Sequence, residues 1–200
     1  MKTDTIQLHT SDIHNSITDL SAETEKLADH SGLGKKEKMK LILITEELAE
    51  AVPQLLNYGP VFFSAENEGS VYTISFVIKP DKPLYNDERK KLVKYSTSGK
   101  NALAVGITGK IREAAEKIIA DHLEEKEFEN SGNSNPGRRN HVLFDNGSAE
   151  AWTLSGYRSG SEKGTKSWDE LEMSILAKVA DEITVGIMSG NVEIKAIIKF

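Results

Sequence analysis

The sequence predicts an α+β fold: a two-layer α/β sandwich in which a mixed, largely antiparallel sheet carries its helices on one face. Three observations carry that expectation. Two β-rich runs, Val61–Ala65 and Val71–Ile78, flank the turn-forming Asn67-Glu68-Gly69-Ser70. A second hairpin pattern, Ile183–Met188 and Val192–Ile198 around Ser189-Gly190-Asn191, lies near the C-terminus. The remaining long segments have helical apolar spacing, and few of them stand between strands in the manner of a doubly wound parallel sheet.

Each element has a local reason. Ile6–Thr10 alternates like a short strand, and Ser11 or Asp12 can cap a helix whose apolar residues Ile13, Ile17, Leu20 and Leu27 share one face. Ser31–Gly34 should stop it. A second helix is predicted from about Lys35 to Tyr58, with Leu41, Leu43, Ile44, Leu48, Val52, Leu55 and Leu56 forming a wide apolar stripe. Pro53 removes one backbone donor from that helix and is expected to kink it. After the first hairpin, Asn86–Tyr95 reads as helix, and the small-residue stretch Ser96–Lys110 leads into another helix through roughly Phe128.

Asn130–Asn140, rich in Asn, Gly and Ser, is predicted to be a mobile loop. His141–Asp145 and Glu150–Tyr157 read as a strand pair around Asn146-Gly147. Ser167 with Glu170 forms a capping box that opens a last helix, striped by Leu171, Ile175, Leu176 and Val179. The 200 residues are expected to make one domain, 1–200, with a variable insertion at about 85–165.

Composition excludes several chemistries. The chain has no cysteine, which removes disulfides, thiolate nucleophiles and cysteine-type zinc sites, and points to a reducing, cytoplasmic setting. A net charge of −6 opposes a nucleic-acid partner, and the basic clusters Lys35–Lys40 and Arg89–Lys91 are interrupted or flanked by acids, as solvated helix faces are. MKTDTIQLHTSD lacks the apolar core of a secretory leader, and no apolar run approaches ~18 residues, so no membrane crossing is expected. His9, His14, His30, His122 and His141 follow no metal-ligand spacing, and no G-x-S-x-G elbow occurs. Trp152 and Trp168 are expected to fill core or interface positions.

One stretch carries a functional suggestion. The second helix closes in EAVPQLLNYG, Glu50 to Gly59, directly before a hairpin. This resembles the serine-kinase anti-sigma factors of the GHKL ATPase superfamily, in which a helix reading E-x-x-x-N-x-x-x-H-G faces the nucleotide. Residues four apart share a helix face, so a general base and a magnesium ligand at that spacing can converge on one cleft. By this resemblance Glu50 takes the place of the base, Gln54 that of the magnesium-binding Asn, and Tyr58-Gly59 that of His-Gly. Gln54 keeps an amide oxygen on a longer stem, while Tyr58 cannot supply imidazole chemistry.

The N-terminal order of strand, two helices and hairpin is similar to the family's. So is the closing LEMSILAKVADEITVGIMSGNVEIKAIIKF, where Asp181-Glu182 sits at the helix-strand junction. The likeness covers roughly half of the chain. In the family an aspartate in D-x-G reads adenine; here the nearest is Asp81 in KPDKPL, without the glycine. Where the family's lid ends in G-x-G-L-G, this chain has the acidic Asp169–Met173, which would repel a triphosphate. Lys100 in Ser98-Gly99-Lys100 and Lys110 in Gly106–Lys110 could supply phosphate contacts, although Ile111 after Lys110 breaks the P-loop spacing.

What the resemblance implies is a Bergerat-like fold binding ATP and Mg2+ between the motif helix and the sheet, with a regulatory protein partner phosphorylated on serine or threonine, and a homodimer. The alternative is a protein-binding module of the same fold that has lost nucleotide binding, which the missing glycine boxes favour.

Overall fold

The computed structural model describes residues 1–130, 176 and 178–200. Five strands, β1 (Ile6–His9), β2 (Pro60–Glu68), β3 (Val71–Ile78), β4 (Glu182–Met188) and β5 (Asn191–Lys199), form one sheet in the order β1-β2-β3-β5-β4. All four pairings are antiparallel. Among the described residues four helices with complete bounds accompany them: α1 (Ile13–His30), α2 (Lys35–Leu55), α3 (Asn86–Lys94) and α4 (Gly106–Asn130). The chain is α+β, as the sequence predicts. The predicted loop in 131–140, the strand pair in 141–157, the capping box at Ser167, the acidic stretch Asp169–Met173 and both tryptophans lie outside the described residues.

Period-two alternation decides which face of the sheet is covered. Val61, Phe63 and Ala65 of β2, Ile74, Phe76 and Ile78 of β3, Ile194, Ala196 and Ile198 of β5, and Ile183 and Val185 of β4 are all fully buried. The register places Phe63 opposite Phe76, and Phe76 opposite Ile194, so these side chains share one face. Helices α1 and α2 cover it with Ile13, Leu20 and Leu27 and with Leu41, Ile44, Leu48 and Val52, none of which is exposed. The intervening residues Phe62, Ser64, Thr73, Val77, Thr184, Lys195 and Ile197 are half-buried on the opposite face.

Two buried hydroxyls satisfy each other across the helix pair. Thr24 and Thr45 are buried where α1 meets α2; their hydroxyls lie 3.0 Å apart, and each hydroxyl also reaches a carbonyl one turn back, Leu20 and Leu41 respectively. Gly32, at φ +70°, ends α1. Gly32 N donates to Asp29 O and Leu33 N to Ala28 O, which satisfies two orphan carbonyls in a Schellman motif.

The turns follow their residues. Gly69 takes a positive φ at the first central position of the β2–β3 turn, while both Ser189 (φ +54°) and Gly190 (φ +76°) do so between β4 and β5. Of the two predicted caps, Asp12 rather than Ser11 occupies the N-cap of α1, without a side-chain cap bond, and Thr10–Asp12 forms a 3-10 turn ahead of the helix. α2 ends at Leu55, three residues short of the predicted Tyr58; Pro53 falls in its last turn, and Leu56 is already extended. α4 runs through Asn130, two residues beyond the predicted end.

The outer edge of β4 is covered by the small-residue stretch. Thr97 N and Ala102 N donate to Ile183 O and Val185 O, each at 2.8 Å. The Asn101 amide imitates a strand: its Nδ2 donates to Ile187 O at 2.9 Å while its Oδ1 accepts from Ile187 N at 2.8 Å. Asn101 and Val185 form a parallel bridge, the one departure from antiparallel pairing among the described strands. An edge covered in this way is closed to further strand addition.

Candidate functional site

Glu50 and Gln54 stand one turn apart on α2, as the motif requires, but on the solvent side of the buried stripe Leu41, Ile44, Leu48 and Val52. The Glu50 side chain is 39% exposed, and its two oxygens lie 3.1 and 3.2 Å from Nδ1 of His14 on α1. His14 is itself 74% exposed, so the pair sits at the surface seam between α1 and α2. The Gln54 side chain is exposed, and its backbone carbonyl accepts from Lys91 Nζ of α3 at 2.8 Å, a cation placed at the negative end of α2.

Tyr58 points elsewhere. Its hydroxyl donates to Glu88 on α3, 2.9 and 3.0 Å from the two carboxylate oxygens, and Lys82 Nζ stands 4.7 Å from its ring centre. Burial, then the hydrogen bond and charge of Glu88, hold the phenol well above its ordinary pKa, so it is a neutral donor. Glu88 also accepts from Tyr85 N at 3.0 Å and therefore closes the first turn of α3. Behind this polar rim, Leu84, Leu92 and Tyr95 are buried and belong to the same core as Leu56 of the α2 exit. α3 thus closes the space beside the end of α2.

Gly59 has a steric reason to be glycine. Its φ is +100°, and a Cβ there would overlap the Lys79 carbonyl and come within 2.9 Å of Pro80 Cα. The exits of α2 and β3 cross at this point, with Thr10 N donating to Gly59 O and Lys79 N to Pro60 O. Asp81 follows, 63% exposed and 3.8 Å from His9 Nε2, which in turn shares a 2.9 Å contact between Nδ1 and Ser11 Oγ.

Lys100 and Lys110 are exposed, and the turn that carries Lys100 is already occupied: Lys100 N donates to both Ser96 and Ser98 hydroxyls at 3.2 Å. The structure therefore brings Gln54, Tyr58 and α3 together, while Glu50 engages α1 and Asp81 engages His9.

Sequence reasoning missed His14, Glu88, Arg89 and Glu116. Arg89 is 6% exposed and pairs with Glu116 of α4 at 2.8 Å, and Glu116 accepts from Ser189 N, also at 2.8 Å. This network ties α3, α4 and the β4–β5 turn together beside a cleft of about 510 Å³ bordered by Lys90, Lys94, Lys117 and Asp121. Most of its charges are already matched, Lys90 by Asp87 and Lys117 by Glu113. Glu88 alone left a sequence signal, an acid three residues after the Tyr85 cap of a helix.

Among the described residues no cluster of His, Asp and Glu has the makings of a metal site, and no helix is long and apolar enough to cross a membrane. In comparison with known proteins, the chain matches no protein-family model and no curated protein.

Proposed function

We propose that the chain is a non-catalytic regulatory module of GHKL-like fold that acts in the cytoplasm by binding a partner protein and has given up nucleotide chemistry. The observation that carries this reading is the disposition of α2 and α3. The side chains that would serve ATP and magnesium, Glu50 and Gln54, lie on the solvent side of α2, with Glu50 held by His14. The space beside the α2 exit is taken by Leu84, Leu92, Tyr95 and the Tyr58–Glu88 bond. A carboxylate shared with an exposed imidazole is poorly placed to take a proton from a substrate hydroxyl in a dry cleft.

The element order β-α-α-β-β followed by a closing β-β hairpin supports the family part of the reading, and the antiparallel sheet with helices stacked on one face agrees with it. The test is calorimetric titration of the full chain with ATP and Mg2+ to millimolar concentration. No heat of binding is expected. Saturable binding that Glu50→Ala or Gln54→Ala abolishes would refute the proposal in favour of the kinase alternative, in which Gln54 holds the metal and Glu50 acts as base.

A further inference from the structure

α2 carries a second stripe that the sheet does not use. Lys36, Met39, Leu43 and Glu46 recur at three-four-three spacing, to one side of the buried line of Leu41, Ile44, Leu48 and Val52. With Val179 and Phe200 they line a groove of about 660 Å³ between α2 and the end of β5. Its floor is apolar: Met39 is 61% exposed, while Leu43, Val179 and Phe200 are half-buried. Tyr72 backs the Phe200 ring edge-on at 5.3 Å and fixes that wall. The charges around the floor are one-sided. Lys38, in the same run, is taken by Glu25 and Asp29 of α1 at 3.0 and 2.8 Å. Lys36, Lys40 and Lys178 border the groove, and no carboxylate among the described residues stands within ion-pair distance of them. Lys40 Nζ lies 5.3 Å from the Phe200 ring centre. The two acids of the groove are engaged elsewhere: Glu46 accepts from Ser21 Oγ of α1 at 3.1 Å, and Glu37 folds back over Gly34 at the start of its own helix.

We propose that this groove is the docking site for an acidic amphipathic helix of the partner protein, its apolar ridge resting on Met39, Leu43 and Phe200 and its carboxylates meeting Lys36, Lys40 and Lys178. The inference rests on the reading of the chain as a partner-binding module and names the chemistry of that partner. Charge and shape choose the occupant together. Unmatched cations beside an apolar floor are complemented by a ligand that carries both an apolar ridge and negative charge. From Lys36 to Glu46 the wall runs about 15 Å, close to three turns, the length of a short helical segment. The Met39 thioether, unbranched and exposed, adapts to the side chains laid against it. An anionic membrane fits less well, because a net charge of −6 opposes an extended negative surface and a concave trough receives a rod rather than a plane. A nucleic-acid backbone would leave the apolar floor unfilled.

Phage selection against the full chain, from a random library of peptides of about twelve residues, supplies the probe. Enriched sequences are expected to be acidic, with large apolar residues at three-four spacing. A fluorescein-labelled peptide of that set, followed by anisotropy, should bind at least about 30-fold more weakly to Lys36→Glu with Lys40→Glu and to Met39→Asp, but within about 3-fold of native to Lys90→Glu on α3, with far-UV spectra unchanged. The same peptide with its acids changed to lysine should regain binding to the charge-reversed variant, a rescue that misfolding does not produce. Enriched peptides that are neutral or basic, binding that the groove variants leave intact, or no enrichment at all overturns the proposal. Binding to vesicles of about 30% phosphatidylserine in place of peptides, lost in the same variants, would assign the groove to lipid and equally overturn it. The groove uses neither Glu50 nor Gln54, so saturable ATP binding would remove the non-catalytic reading without altering the peptide measurement, and the two failures are told apart.

Discussion

The pair Arg89–Glu116 offers a demanding test of how α3 and α4 are fastened. The Arg89 side chain is 7% exposed and Glu116 17%, with 2.8 Å between Nη2 and Oε2. Removing one member of a buried pair strands the other charge, which costs roughly 3–5 kcal/mol. Arg89→Met keeps the apolar stem and leaves Glu116 with the Ser189 amide and some solvent, which places the loss near the lower bound, about 3 kcal/mol. Glu116→Gln retains an acceptor for Ser189 N but leaves the more deeply buried guanidinium unmatched, so about 4 kcal/mol is expected.

Combining the two strands no charge, and the double variant should lose only about 2 kcal/mol, far less than the sum. Urea unfolding followed by far-UV circular dichroism, at one protein concentration throughout, measures each value by linear extrapolation. A loss of about 3 kcal/mol corresponds to a melting temperature lower by roughly 6–12 °C for a chain of this size. Additive single losses, or single losses below about 1 kcal/mol, would show that the pair is solvated and that α4 is not anchored through it.

Two further outcomes follow from the local geometry. Tyr58→Phe removes the donor to Glu88 and should cost about 2 kcal/mol near neutral pH. The folded-state pKa of Tyr58 is raised above the ordinary tyrosine value of about 10, so its contribution is complete below pH 10 and is lost as pH rises beyond that. The stability gap between the native chain and Tyr58→Phe should therefore narrow above pH 10 in urea titrations, and a constant gap would contradict the assignment. Gly59→Ala should cost at least about 3 kcal/mol or prevent folding, since both its φ and its Cβ clash with the β3 exit; Gly69→Ala, with a positive φ but open space around it, should cost about 1 kcal/mol. Equal losses at the two glycines would mean that the chain crossing at Gly59 relaxes freely.

Much of the fold was legible because it follows from nearest-neighbour chemistry. The alternation in Val71–Ile78 and Val192–Ile198 specified strands with one buried face, and the bounds of β3 came out as predicted. Gly69 and Ser189-Gly190 marked the hairpin turns because each turn type needs backbone that glycine adopts at little cost. The spacing of Leu41, Ile44, Leu48 and Val52 identified the buried stripe of α2, although Leu43 and Leu55, predicted in the same stripe, are only half-buried, and Glu50 and Gln54 were correctly placed one turn apart on one helix.

What the spacing of Glu50 and Gln54 could not decide is what lies opposite them. Sequence fixes an angle around a helix axis, whereas the packing of α1 and α3 determines whether that angle looks into a cleft or at His14 and solvent. The same holds for Asn101, an ordinary turn residue until the chain brings it against Ile187, 86 positions away, and for Arg89, whose helix-face charge became an inner ion pair only when α4 supplied Glu116. Local propensities act over a few residues. The environment of a charged side chain is set by segments tens of residues distant, and here those segments placed Glu113 and Glu116 of α4 inward and its isoleucines outward, the reverse of what hydropathy alone assigns.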